Sequence, residues 1–365
     1  MGLFRYLLAA TVVWTHAHNP SAPGFLNAGI AVTSFFMISG FYMGLVLETK
    51  YGSNTRVFYL SRFLRIYPIY YLTLVFALTL LVAASLWQGN WADRLSFYAH
   101  AWEGGHNLLV GLLLLVQVVL VGIDLPCLLS YTDTGVHLLP LAGAFEGILL
   151  ERMLFLPQAW TIGFEVLFYL GVPWIRRWKT KTILIVALSS FTLKIFLRCL
   201  GSDGETSKWE YQFFPPQLVF FLLGFLAHRH RHWVSGHISP ARLRTGLLLI
   251  IGMFFAWPHL PAIGTDLVWW GLVFFSIPGL FQATRFSRVD AFLGSLSYPL
   301  YLVHIPIRWL LLGPSGSYGA TLSPIHLLLA STLASIVLAV VFENRLESWR
   351  ARLVQRILAS QKHAS

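Results

Sequence analysis

Apolar residues run along this chain in long blocks separated by short polar stretches, the pattern of a protein whose solvent is a lipid bilayer. A helix crosses the hydrocarbon core with about 20 mostly apolar residues. Blocks near that length occupy 3–18, 28–47, 66–86, 159–175, 182–199, 213–229, 243–257, 264–282, 291–312 and 323–342, and each predicts a spanning helix. The first is short, so it must begin almost at Met1 or sit where the bilayer thins. No convincing small-residue cleavage site precedes Asn19-Pro20, so this block reads as an uncleaved helix. A further apolar run occupies 107–123.

The polar stretches set the orientation. Basic residues cluster at Lys50/Arg56/Arg62/Arg65, Arg176/Arg177/Lys179/Lys181, His228 to Arg244, Arg285/Arg288 and from Arg345 onward. Positive charge is retained on the cytoplasmic side. All these clusters fall there only if the stretch 107–158 begins and ends outside. Either 107–123 re-enters or a second crossing lies within 124–158; the re-entrant reading is preferred. The expected fold class is therefore all-α, a polytopic transmembrane bundle of about ten spanning helices with a re-entrant segment. Residues 1–345 form the transmembrane domain and 346–365 a basic cytoplasmic tail. Both termini are expected in the cytoplasm and the protein in the plasma (inner) membrane.

Composition narrows the class. Of 365 residues, 56% are hydrophobic and 11% charged, against about 25% charged in soluble domains. That excludes a soluble enzyme and a disordered chain. The formal charge of +11 is dispersed between apolar runs, not gathered on one polar surface, so no nucleic-acid partner is expected. Cys127 and Cys199 stand alone, offering neither a disulfide framework nor metal spacing, and no metal is expected. The alternation His228-Arg229-His230-Arg231-His232 reads as a solvated basic face, since arginines oppose a bound dication.

Ionisable side chains inside a bilayer are costly and mark function by default. Four places carry them. On the first block Arg5 and His16 share one helix face, roughly 16 Å apart, with Arg5 toward the cytoplasm and His16 in the outer half. A snorkelling anchor and an interfacial histidine would explain them equally well. Arg62 and Arg65 project from one side of a helical turn in a cytoplasmic loop, where guanidinium forks match phosphate oxygens; simple topology-setting charge is the alternative. Thr161, Glu165 and Tyr169 form a polar stripe at four-residue spacing, serving either chemistry or an inter-helix bond. Ser297, Tyr301, His304 and Arg308 form another, for which a satisfied interior histidine is the alternative reading of His304.

At these residues the chain resembles the acyltransferase type 3 family of integral membrane enzymes. Arg5 and His16 are similar to that family's first-helix pair, and Phe35-Phe36-Met37-Ile38-Ser39-Gly40-Phe41 to its second helix. Arg62, Arg65, Tyr67 and Pro68 resemble its arginine loop. Trp160, Glu165, Phe168 and Tyr169, then Ser297-Tyr298, Tyr301 and His304, resemble two later segments, all in the same order. The resemblance implies a ten-helix core and acyl-CoA, most often acetyl-CoA, as donor. The acceptor it implies is a hydroxyl of a cell-envelope or exported glycan, or a related compound. Arg5, Arg62 and Arg65 would hold the donor's phosphates, and His16 would act as general base. Glu165 would orient its imidazole, and Tyr301 or His304 would stabilise the oxyanion. A transient acyl group on His16 is the other route. The competing function is a transporter or flippase of a glycan or lipid-linked sugar. The loops 124–158, with Asp124, Asp133, Glu146 and Glu151, and 200–212 are expected to shape the acceptor site. Nothing in the sequence sets the acceptor's identity or the oligomeric state.

Overall fold

Each of the ten apolar blocks holds a helix in the computed structural model, which describes residues 1–51, 54–89, 93–132, 134–141, 143–201, 207–237, 239–261, 264–313 and 321–362. Asp133 lies outside the described residues. The chain opens with α1 (Gly2–Thr15), α2 (Ala28–Val46), α3 (Thr55–Gln88), α4 (Asp93–Glu103) and α5 (Asn107–Val119). A small antiparallel sheet follows, with β1 (Leu129–Thr132) between β2 (Gly135–Leu138) and β3 (Ile148–Leu149). Then come α6 (Trp160–Ile175), α7 (Thr180–Leu200), α8 (Ser207–Tyr211), α9 (Phe214–Arg229), α10 (Arg231–His237) and α11 (Pro240–Ala256). The last are α12 (Thr265–Thr284), α13 (Arg288–Leu312), α14 (Pro324–Leu338) and α15 (Asn344–Lys362). Local chemistry sets several starts: the side chains of Asn27, Asn54, Ser239 and Ser287 accept backbone N–H groups at the first turns of α2, α3, α11 and α13.

The all-α class holds for the bundle, and the sheet was not foreseen. The count of ten crossings does not follow from length and composition. Among the described residues five stretches are long and apolar enough to span, namely Ala28–Tyr51, Thr55–Gln88, Thr180–Leu200, Thr265–Thr284 and Pro324–Ile357. The helices α6, α9 and α11 have only 16 or 17 residues. Two further expectations are corrected. Residues 61–68 are not a loop but run from the second to the fourth turn of α3, which continues through Pro68. Arginine is a good helix former, so its charge changed the helix's surroundings and not its conformation. The run at 228–232 is not wholly solvated either: His228 is buried, with Nε2 3.3 Å from a Glu48 oxygen, and Arg231 pairs with Glu48 at 2.6 Å.

Two glycine contacts bring helices to backbone distance. A Cβ at Gly40 on α2 would stand 2.0 Å from the Phe221 carbonyl of α9, and one at Gly224 on α9 1.8 Å from the Met37 carbonyl. The α1–α13 crossing is built the same way at Gly2, where a Cβ would meet the Asp290 carbonyl. Small residues at such crossings let helices pack by van der Waals contact, which lipid-solvated helices need because the hydrophobic effect does not drive them together.

α5 ends beside the middle of α3. Its thirteen residues rise about 20 Å, less than the ~30 Å hydrocarbon core. The chain then turns at Leu120, which adopts a left-handed conformation. The last carbonyls of α5, those of Gln117, Val118 and Val119, accept the hydroxyls of Tyr70, Tyr71 and Tyr67 at 2.6, 2.9 and 2.5 Å. A helix end away from water needs such partners. The side chain of Gln117 then ties the returning strand down, accepting from the Phe155 N–H at 2.6 Å.

α13 is held in a similar way. Pro306 lacks the N–H that would bond the Leu302 carbonyl. That carbonyl is taken instead by the Gln158 amide at 2.7 Å, just before α6 begins. Gln158→Leu keeps much of the volume and strands a buried acceptor, a change that costs about 1–3 kcal/mol. Thermal unfolding in detergent is expected to show a clear fall in midpoint for this variant; an unchanged midpoint would refute the assignment.

Candidate active site

A cavity of about 630 Å³ opens between α1, α2, α3, α6, α13 and α15. Its walls include Arg5, Arg62, Arg65, Thr161, Glu165, Tyr169, Ser297 and Tyr301, so the structure gathers eight of the singled-out residues around one space. Arg5 enters from α1, beside the close contact of Gly2 with α13. Arg62 is buried, its guanidinium lying 5.9 Å from the Phe58 ring and 3.4 Å from the Ser61 hydroxyl. Ser61 in turn accepts from Tyr51 at 2.6 Å.

Glu165 faces the cavity from α6. The Tyr169 hydroxyl donates to it at 3.1 Å and lies 3.1 Å from Ser39 Oγ. Arg5 and Arg65 are the cations whose field reaches this carboxylate. A carboxylate near guanidinium groups in a low-dielectric wall offsets part of their charge. Glu165 thus places a negative charge among the cations of this wall. It does not touch His16, whose Nδ1 instead lies 2.7 Å from the Val12 carbonyl of its own helix.

The two histidines stand beyond the cavity wall, on the far side of Tyr301. Tyr301 accepts from Thr161 at 2.8 Å and donates to the Gln158 carbonyl at 3.2 Å. Its ring centroid is 5.8 Å from that of His304, and the His304 ring is 4.9 Å from that of His16. His18, exposed, follows at 6.2 Å. His304 is fully buried, with Nδ1 2.7 Å from the Tyr301 carbonyl and Nε2 without a hydrogen-bond partner among the described residues. A carbonyl can only accept, so Nδ1 carries the proton in both rings and Nε2 presents a lone pair. Each imidazole is thus set up to take a proton or to attack a carbonyl. As an oxyanion donor a neutral His304 is unsuited, because its one N–H is already engaged.

Several wall residues were given no role of their own from the sequence, although Lys50 lies in a basic cluster and Ser39 and Tyr298 in the segments quoted above. Lys50 and Arg350 add cations to the same cavity, and Ser39 and Tyr298 add hydroxyls. No periodic signal marks them: Lys50 closes α2 in a wide turn and Arg350 sits in what read as a basic cytoplasmic tail. Among the loop acids, Asp124 is buried, with the Phe214 N–H as partner, and burial pushes its carboxyl up to about 6. Glu151 pairs with Lys208 at 2.6 Å and Gln212 at 3.0 Å. Both tie these loops to neighbouring segments, and Glu146 alone of the three is exposed.

The long apolar helices define a membrane protein, and its bundle encloses a cation-lined cavity with imidazoles adjoining. Its family model, described as an acyltransferase domain, matches residues 1–344, and the chain belongs to that family. The protein is therefore a membrane acyltransferase. No curated protein and no solved structure matches the chain.

Proposed function

We propose that the enzyme moves an acyl group, acetyl in the first instance, from cytosolic acyl-CoA to a hydroxyl of a cell-envelope or exported glycan. The observation that carries this reading is the polarity of the cavity. One end holds Lys50, Arg62, Arg65 and Arg350; the other holds Thr161 and Tyr301, next to His304. A CoA thioester has the same polarity, with phosphates at one end and the reactive carbonyl at the other. Guanidinium forks bind phosphate oxygens bidentately, and the apolar walls from Val32 to Ile38 suit the pantetheine arm.

The reading assigns ten crossings with both termini cytoplasmic in the plasma membrane, α5 re-entering from outside. The distribution of basic clusters and the tyrosine-capped end of α5 support it. In this frame the donor enters from the cytoplasm, and His16, the less buried of the two imidazoles, faces the acceptor. His16 Nε2 takes the acceptor hydroxyl's proton, the oxygen bonds to the thioester carbon, and the C–S bond breaks. CoA leaves as a thiolate and gains the proton carried by the imidazole. Tyr301 sits where the carbonyl oxygen becomes negative, provided its hydroxyl turns from the Gln158 carbonyl.

A second route draws on a specific observation: His304 and His16 lie behind Tyr301 and not on the cavity wall. An imidazole Nε2 would then receive the acyl group first, releasing CoA thiol, and pass it outward to the hydroxyl. Labelled acyl retained on the denatured enzyme would select this route. The function itself is tested with the purified protein in vesicles, acetyl-CoA on the cytoplasmic side and envelope glycan on the other. Acceptor-dependent release of CoA thiol is expected. Movement of unmodified glycan without thiol release would overturn the reading in favour of a transporter.

A further inference from the structure

The C-terminal helix α15 begins where the family match ends. Instead of leaving the bundle as a basic tail, it lies along α3, with Val354 buried and Ile357 packed on the core. Glu347, Arg350, Ala351, Val354 and Gln355 line the cavity. Their spacing is that of a single helix face. Arg352 and Arg356 point to the other side and are exposed. One wall of the cavity is therefore supplied by a segment outside the matched domain.

Arg350 is placed differently from the surface arginines of its helix. Its side chain is only 11% exposed, and its hydrogen-bonded partner is Glu347 at 2.8 Å, a side chain that is 56% exposed. With one partner so open to water, the pair contributes little. Arg62 and Arg65 line the same cavity, and their like charges act on Arg350. Three guanidinium groups converging on one half-enclosed space repel one another, and a polyanion relieves that repulsion. Arg62 is the deep member, buried in α3, and Arg350 is the member carried by the outlying helix.

We propose that Arg350 binds the outermost phosphate of the donor nucleotide, the 3′-phosphate, and that α15 is a built part of the donor site. The assignment rests on the reading of acyl-CoA as donor. With the thioester directed at Tyr301, the diphosphate joins the pantetheine arm to the nucleoside and falls beside Arg62 and Arg65. The 3′-phosphate, on the far edge of the ribose, then falls beside α15. Glu347 holds Arg350 when the site is empty and yields it to the stronger acceptor.

The test compares acetyl-CoA with acetyl-3′-dephospho-CoA in phosphatidylcholine vesicles, which keep anionic lipid headgroups out of the assay. The wild type is expected to favour acetyl-CoA in KM by roughly ten- to a hundredfold, the size of a lost charge-assisted bond. Arg350→Ala raises KM for acetyl-CoA by the same factor, leaves kcat in place and erases the preference. Arg350→Lys, which keeps the charge and the helix, restores part of it, and Glu347→Gln preserves or sharpens it. If Arg350→Ala keeps the wild-type preference, or weakens both donors equally, α15 is only a structural wall and the proposal is wrong. Failure of the wild type to release thiol from acetyl-CoA would instead overturn the donor assignment, and this proposal with it.

Discussion

His16→Ala is expected to reduce ester formation by about 10² to 10⁴-fold, the usual contribution of a general base, while the protein inserts and folds as before. The two halves of this expectation come from different observations. The ring's bond is to Val12, within its own helix, so removing it leaves no other element short of a partner. Its loss of packing is modest because the residue is only partly buried. The chemistry, by contrast, loses the more accessible of the two imidazole lone pairs. His304→Ala differs in kind: it empties a fully enclosed position beside Tyr301 and is expected to lower the unfolding midpoint as well as the rate. The pair is checked by measuring initial rates with acetyl-CoA and thermal midpoints on the same preparations. Substantial transfer by His16→Ala would remove His16 from the reaction and leave His304 as the base.

This separation of roles was only partly legible in the sequence. The face shared by Tyr301 and His304 could be read from spacing, because helical periodicity is a local property and the polar positions stood out against apolar neighbours. So could the presence of Arg62 and Arg65 at one end. What spacing cannot carry is the meeting of separate helices. Glu165 looked like the partner of an imidazole, yet the fold sets it by Ser39, Tyr169 and the arginines, and gives His16 a carbonyl of its own turn. The helix of residues 61–68 was obscured by its charges and by Pro68, both of which mimic a loop. Arg350 was hidden for the opposite reason. In an amphipathic helix rich in arginine nothing distinguishes the one that turns inward until α15 is seen against α3. Gln158 carries no signal either, since its function depends on a carbonyl released by Pro306, far away in the chain.

The crossing of α2 and α9 gives the second large effect, and it too depends on a meeting of helices. Gly224→Ala is expected to lower the yield of folded protein and its unfolding midpoint sharply, and Gly224→Leu to abolish folding. The added Cβ would stand 1.8 Å from the Met37 carbonyl oxygen, which is backbone and cannot swing aside as a side chain could. The helices would have to separate, opening the stacked pair Phe36–Phe221, now 4.6 Å between centroids, and the Phe168–Phe221 stack at 4.7 Å. Overpacking by one methylene already costs about 1–3 kcal/mol where side chains can adjust, and here they cannot. The consequence reaches the chemistry, because α2 carries Ser39 and Tyr42 into the cavity wall. Gly252, in α11, is the control: a Cβ there meets nothing within 4 Å. Replacing it by alanine removes only backbone freedom, so Gly252→Ala should be neutral or stabilising by up to about 1 kcal/mol. The propensity gain applies equally at Gly224, so any deficit of Gly224→Ala relative to Gly252→Ala measures the steric conflict directly. Equal midpoints for the two variants would mean that α2 and α9 do not approach each other this closely.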